Sequence, residues 1–150
     1  MMFLDLRFLG SWFFRMSPPI ELLGSYLHLA RAAELRRQPL VRDRVLLLAA
    51  VIAAQIDLAP IAAACRQRIL KHNPRHLIGR FESVVEALEE EEFQALVVQV
   101  SGRYGPERVE QLVAQLGIER GQERAAYASD GEYAASLLGL DWNDLSQSDD

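Results

Sequence analysis

His72 and His76 stand four residues apart in the stretch LKHNPRHLIGRF, Leu70 to Phe81, the spacing that puts two imidazoles on one helical face within reach of one metal ion. Asn73 and Pro74 fall between them and interrupt any helix at that point, so the spacing does not make a ligand pair. Cys65 lies seven residues before His72, about two helical turns away and too far for a thiol to imidazole hydrogen bond along one helix. These groups predict no metal, no cofactor and no catalytic residue. An enzyme using His72 or His76 with Glu82 would need imidazole and carboxylate to meet in a cleft. No Gly-rich phosphate loop, nucleophile elbow or zinc-knuckle spacing occurs in the chain.

The same region holds the densest positive cluster, Arg66, Arg68, Lys71, Arg75 and Arg80. Arg75 and His76 fall beside the expected start of a helix, where the macrodipole disfavours positive charge. Free N–H groups at that start, flanked by Lys71, Arg75, His76 and Arg80, form a candidate site for a phosphate or carboxylate. Binding of a small anion or a nucleic acid at the junction 66–80 is therefore one functional reading. Nucleic acid is the less favoured ligand, because the chain carries a net charge of −5 and no aromatic residues interleave the cluster.

The elements that position these residues read as successive helices opened by prolines, whose missing N–H costs nothing in a first turn. Ser17 is the expected cap of the first, with Leu22, Leu23, Tyr26, Leu27, Leu29, Ala30 and Ala33 on its apolar face. Pro39 opens a second helix that runs to about Ile56 and is apolar nearly all round from Val45, which predicts the most buried element. Asp57 is expected to cap a third, with Ile61, Ala64, Cys65, Ile69 and Leu70 inward and His28, on the first helix, exposed. Asn73 and Pro74 then start a fourth, whose buried face would be Leu77, Ile78, Phe81, Val84, Val85 and Leu88. Glu82, Glu86, Glu89 and Glu90 make its outer face, with a kink expected at Glu89 to Glu92. A fifth helix is expected from Phe93 to about Arg103, and a sixth from Pro106 to Leu116, ended by Gly117 in the left-handed conformation. Shorter helices follow at 120–128 and 131–138. Pro18, Pro39 and Pro60 are evenly spaced by 21, but the side chains around them do not repeat, which argues against a solenoid.

The predicted architecture is an all-α, single-domain antiparallel bundle of about six to eight helices with a short disordered acidic C-terminal tail. Its parts are an N-terminal extension (1–16), a main helical bundle (17–104), a small helical subdomain packed on it (105–141) and a flexible tail (142–150). The extension reads either as an over-extended frame, with translation starting at Met16, or as a membrane-surface or partner-binding segment. No apolar run reaches the roughly 20 residues that cross a bilayer, and no export signal is visible. The single cysteine excludes an internal disulfide and sets a reducing, cytoplasmic compartment as the expectation.

Residues 106–140, PERVEQLVAQLGIERGQERAAYASDGEYAASLLGL, resemble the three-helix ubiquitin-associated (UBA-like) fold. Val109, Leu112 and Leu116 would line its first helix, and Ala126, Tyr127, Ser136, Leu137 and Leu140 would complete its core. Ile118 stands where the family usually has an aromatic, and the second turn, around Gly131, is about a residue short. The resemblance implies that a protein partner binds through Leu116, Gly117 and Ile118, without catalysis.

Residues 1–81 carry 12 basic and 5 acidic groups, whereas residues 82–150 carry 4 and 16. Halves of opposite sign favour self-association or docking on an oppositely charged partner. With no catalytic set in view, the leading functional reading is an interaction protein, either an adaptor or a homo-oligomer.

Overall fold

The computed structural model describes residues 18–119 and 122–147, and the described chain contains helices and no strand. Three long helices come first: α1 (Pro19–Leu35), α2 (Pro39–Gln55) and α3 (Ala59–His72). Each has proline at its first or second position. A 3-10 turn (Leu77–Arg80) and the short α4 (Val84–Ala87) lead to α5 (Glu91–Ser101) and α6 (Pro106–Gln115). A second 3-10 turn (Glu123–Ala126), α7 (Asp130–Leu137) and α8 (Trp142–Gln147) complete the order. The all-helical bundle expected from the apolar periodicity is the fold observed. The N-terminal extension and the cap assigned to Ser17 lie outside the described residues, and Pro18 takes the N-cap position of α1.

The two corners that fold α1, α2 and α3 together share one backbone device. Arg37 and Asp57 adopt left-handed φ values of 58° and 62°. The next amide in each corner donates back into the helix just ended, Gln38 N–H to Ala33 O and Leu58 N–H to Ala53 O, both at 2.8 Å. These bonds satisfy carbonyls that a helix end otherwise leaves open. Asp57 therefore closes α2 and does not cap α3, whose N-cap is Leu58 with no side-chain hydrogen bond. The expectation of an Asp57 cap is corrected for that reason.

α1 and α3 pack on either side of α2, and α4 and α5 pack on it as well. Val45 to Ala53 are consequently buried without a break, as an all-round apolar helix requires. At roughly 1.5–3 kcal/mol for each fully buried large aliphatic side chain, this segment is a large apolar contribution to the bundle. The apolar face predicted for α1 is buried at every position. α6 and α7 make their principal contacts with α1, and α8 with α7 and α3.

The fourth helix departs from expectation. Asn73 is the C-cap of α3, its N–H donating to Ile69 O at 2.8 Å, and no α-helix begins at Pro74. The chain makes a 3-10 turn and a bend, then restarts where Ser83 Oγ accepts the Glu86 N–H at 3.1 Å. Ser83-x-x-Glu86 is the spacing of a capping box, a local signal stronger than the continuous 3 and 4 periodicity suggested. Arg66 Nη2 braces the bend by donating to Phe81 O at 2.6 Å. Gly79 lets the turn close on α3, because a Cβ there would stand 2.9 Å from Leu70 Cδ2. The interruption rotates Val85 outward, so it is 50% exposed, while Ile78, Val84 and Leu88 remain buried.

Ser129 Oγ caps α7 by accepting the Glu132 N–H at 3.1 Å. The sequence places the start of a flexible tail at residue 142, but the helical chain continues to Gln147. The indole of Trp142 lies over Gly131, where an added Cβ would meet the ring at 2.4 Å. Gly131 supplies the bare backbone that seats the last helix.

Candidate functional site: an arginine-lined cavity

The cations of the 66–80 junction do not form one cluster. Arg66 is committed to the Phe81 carbonyl, and Arg68 Nη2 donates to Leu138 O at the end of α7. Arg80 forks onto the Glu92 carboxylate at 3.1 and 3.3 Å, both groups largely exposed. Lys71 and Arg75 are exposed, and the Arg75 amide donates to Asn73 Oδ1. His76 Nδ1 accepts the Ile78 N–H at 3.1 Å, occupying one of the amides that an anion would have used. Burial pushes the His76 pKa below its ordinary 6.5, partly opposed by the charge of Asp43. That direction fits a neutral ring acting as acceptor. His72 is exposed at the end of α3, and neither imidazole hydrogen-bonds Glu82.

Arg68 instead meets two arginines remote from it in sequence. Arg31 of α1, Arg42 of α2 and Arg68 of α3 line one solvent-open cavity of about 290 Å³, bounded on its fourth side by Leu137, Leu138 and Gly139. Arg42 is the most deeply placed, its side chain only 6% exposed. Its Nη2 donates to Asp43 Oδ1 at 3.0 Å and to Arg68 O at 3.3 Å, and its Nη1 is 3.8 Å from Glu34 Oε1. Arg42 Nε is buried without a partner among the described residues. Leu27 and Leu46 supply apolar wall between the cations. The gathering is a consequence of the corners: antiparallel α2 and α3 bring the start of one beside the end of the other, and α1 delivers Arg31 to the same end. Only the polar interruption Arg42-Asp43-Arg44, just ahead of the apolar run, marked this place in the sequence.

The last third of the chain is tied down by a second polar group. His28 Nε2 donates to both carboxylate oxygens of Glu123 at 2.9 Å, and the Tyr133 hydroxyl donates to Glu123 Oε1 at 2.6 Å. His28, expected to be exposed, is covered because the 3-10 turn carrying Glu123 folds over α1. Tyr133 reaches Glu123 only because Gly24 lacks a side chain, since a Cβ there would stand 2.2 Å from the hydroxyl. Arg124 Nε donates to Asp130 at 2.6 Å and Nη1 to Tyr127 O at 2.8 Å. Leu116 and Ile118 are half-buried against the core, with Gly117 exposed between them at φ 77°.

Cys65 is fully buried, and burial pushes its thiol up to about 12, against the opposing charge of Arg68. The thiol is therefore protonated at neutral pH and a poor nucleophile. Among the described residues, no three His, Cys, Asp or Glu side chains gather as a metal site requires. No described helix is long and apolar enough to cross a membrane. No protein-family model, curated protein or solved structure matches this chain.

Proposed function

We propose that this protein works by binding and not by catalysis, with the cavity between α1, α2, α3 and the end of α7 as its small-molecule site. The observation that carries the reading is Arg42, a guanidinium almost wholly removed from water at the wall of an apolar-sided cavity. Concave, largely apolar sites with a few convergent polar groups are where small ligands bind. Methyl NMR against a fragment library tests this. Binders are expected to shift Leu27, Leu46 and Leu138 together, and a library whose members leave all three unmoved overturns the reading.

Contact with a protein is the second reading, favoured by Leu35 and Leu40, 76% and 67% exposed around the α1–α2 corner beside Arg36 and Arg37. Adaptor function, self-association and partner binding through Leu116, Gly117 and Ile118 all belong to it, as does a reducing cytoplasmic setting for Cys65. Sedimentation at low and high salt separates these ideas, because contact between oppositely charged surfaces weakens as salt rises. A monomer at every concentration and salt, with no change on replacing Leu40 by Glu, removes self-association.

A further inference from the structure

We infer that the ligand of the arginine-lined cavity is an organic monoanion, with a carboxylate head and an apolar body. This rests on the cavity being the binding site. Three guanidiniums line it, and two carboxylates answer them, Glu34 on the wall and Asp43 behind Arg42. One positive charge is left, which a singly charged head neutralises.

The hydrogen-bond inventory says where that head sits. Arg68 is turned to the Leu138 carbonyl, and Arg42 shares its Nη2 between Asp43 and the Arg68 carbonyl. Arg31 makes no hydrogen bond or ion pair with any other described residue. A guanidinium carries five N–H donors in a planar fork that matches a carboxylate. Arg31 is thus the open fork, with Arg42 as the buried positive charge behind it. The apolar wall includes Leu27, Leu35, Leu46, Leu137 and Leu138, which offer an acyl chain or a ring apolar contact.

Size sets the third limit. A cavity of about 290 Å³ corresponds to roughly ten water volumes at about 30 Å³ each, which suits a body of about ten non-hydrogen atoms. A nucleotide would overfill it and project into solvent. Inorganic phosphate would leave the leucine wall uncovered and bring more negative charge than the site lacks.

Phenylacetate meets these limits, and phenylacetamide is the same shape without the charge. Titration of the full chain, followed by leucine methyl shifts and calorimetry, should show phenylacetate binding at Leu27, Leu46 and Leu138 and tightening as salt is lowered. Arg31→Gln should weaken it by roughly tenfold, the scale of one charge-assisted hydrogen bond. Arg75→Gln, at the exposed junction, should leave it unchanged. Should Arg31→Gln fail to fold, the salt dependence of the unaltered chain carries the same decision. Equal binding of phenylacetamide, or displacement of phenylacetate by inorganic phosphate, overturns the monoanion and leaves the cavity as a site. Leucine methyls that no probe moves at about 10 mM overturn both.

Discussion

Replacing Gly24 by alanine sets two effects of opposite sign against each other at one atom. Gly24 is interior to α1, where exchange of glycine for alanine by itself favours the helix by about 1 kcal/mol. The new methyl, however, would lie 2.2 Å from the Tyr133 hydroxyl and 2.9 Å from two ring carbons. Tyr133 is only 4% exposed, so its ring has no free space to move into. Overpacking of this kind costs about 1–3 kcal/mol, and displacing the hydroxyl from the Glu123 carboxylate adds about 1.5 kcal/mol. The net expectation is a loss of about 2 kcal/mol, a fall in Tm of roughly 4–8 °C for a chain of this size. Urea unfolding of Gly24→Ala, Tyr133→Leu and the double variant isolates the cause. With the ring and hydroxyl gone, the same methyl should be neutral or stabilising by up to about 1 kcal/mol, a coupling of about 2–3 kcal/mol. Equal costs in both backgrounds, or a gain in the unaltered protein, would refute the claim that Gly24 exists to admit Tyr133. The position matters to the cavity because α7, seated on α1 by this contact, supplies Leu137 and leads into Leu138 and Gly139.

Three further outcomes follow from the same geometry. Ser83→Ala removes the cap that starts α4 and should cost about 1 kcal/mol in urea unfolding, with threonine at the same position recovering most of it. His76 has a folded pKa below its unfolded value of 6.5, so its contribution to stability is full above that value and is lost as pH falls through the folded pKa. Thermal melts should therefore decline on acidification below about 6.5, and His76→Asn, which keeps an acceptor for the Ile78 N–H, should flatten that part of the profile; an unchanged slope contradicts the assignment. Cys65 should react with a thiol reagent only as fast as the bundle unfolds, so rapid labelling of the native protein would show that the thiol is not enclosed.

The apolar faces were legible because each is a repeated local signal. Leu22, Leu23, Tyr26, Leu27, Leu29, Ala30 and Ala33 recur at helical spacing, and all are buried. Val45 to Ala53 could be assigned to the centre because no face of that helix is polar enough to meet water. The region 74–88 misled for a related reason: Leu77, Ile78, Phe81, Val84 and Leu88 satisfy a helical pattern, yet a 3-10 turn followed by a short helix can bury most of them too. Ser83 with Glu86 carried the missing information, and only the placement of Val85 distinguishes the two outcomes. The junction arginines were visible as charge, while their partners were not. Arg66 answers Phe81, Arg68 answers Leu138 and Arg80 answers Glu92, separations of 15, 70 and 12 residues.

What this sequence determined alone, outside the stretch 74–88, is a set of helical rods, their order and the side most of them turn inward, since hydrophobic period and prolines act over a few residues at a time. Which charged groups meet was decided by the tertiary structure. Arg31, Arg42 and Arg68 come together because left-handed residues at Arg37 and Asp57 fold three helices side by side, and because Gly24 lets α7 settle on the first of them. Convergence of that kind depends on the relative placement of whole elements, and no spacing along the chain encodes it.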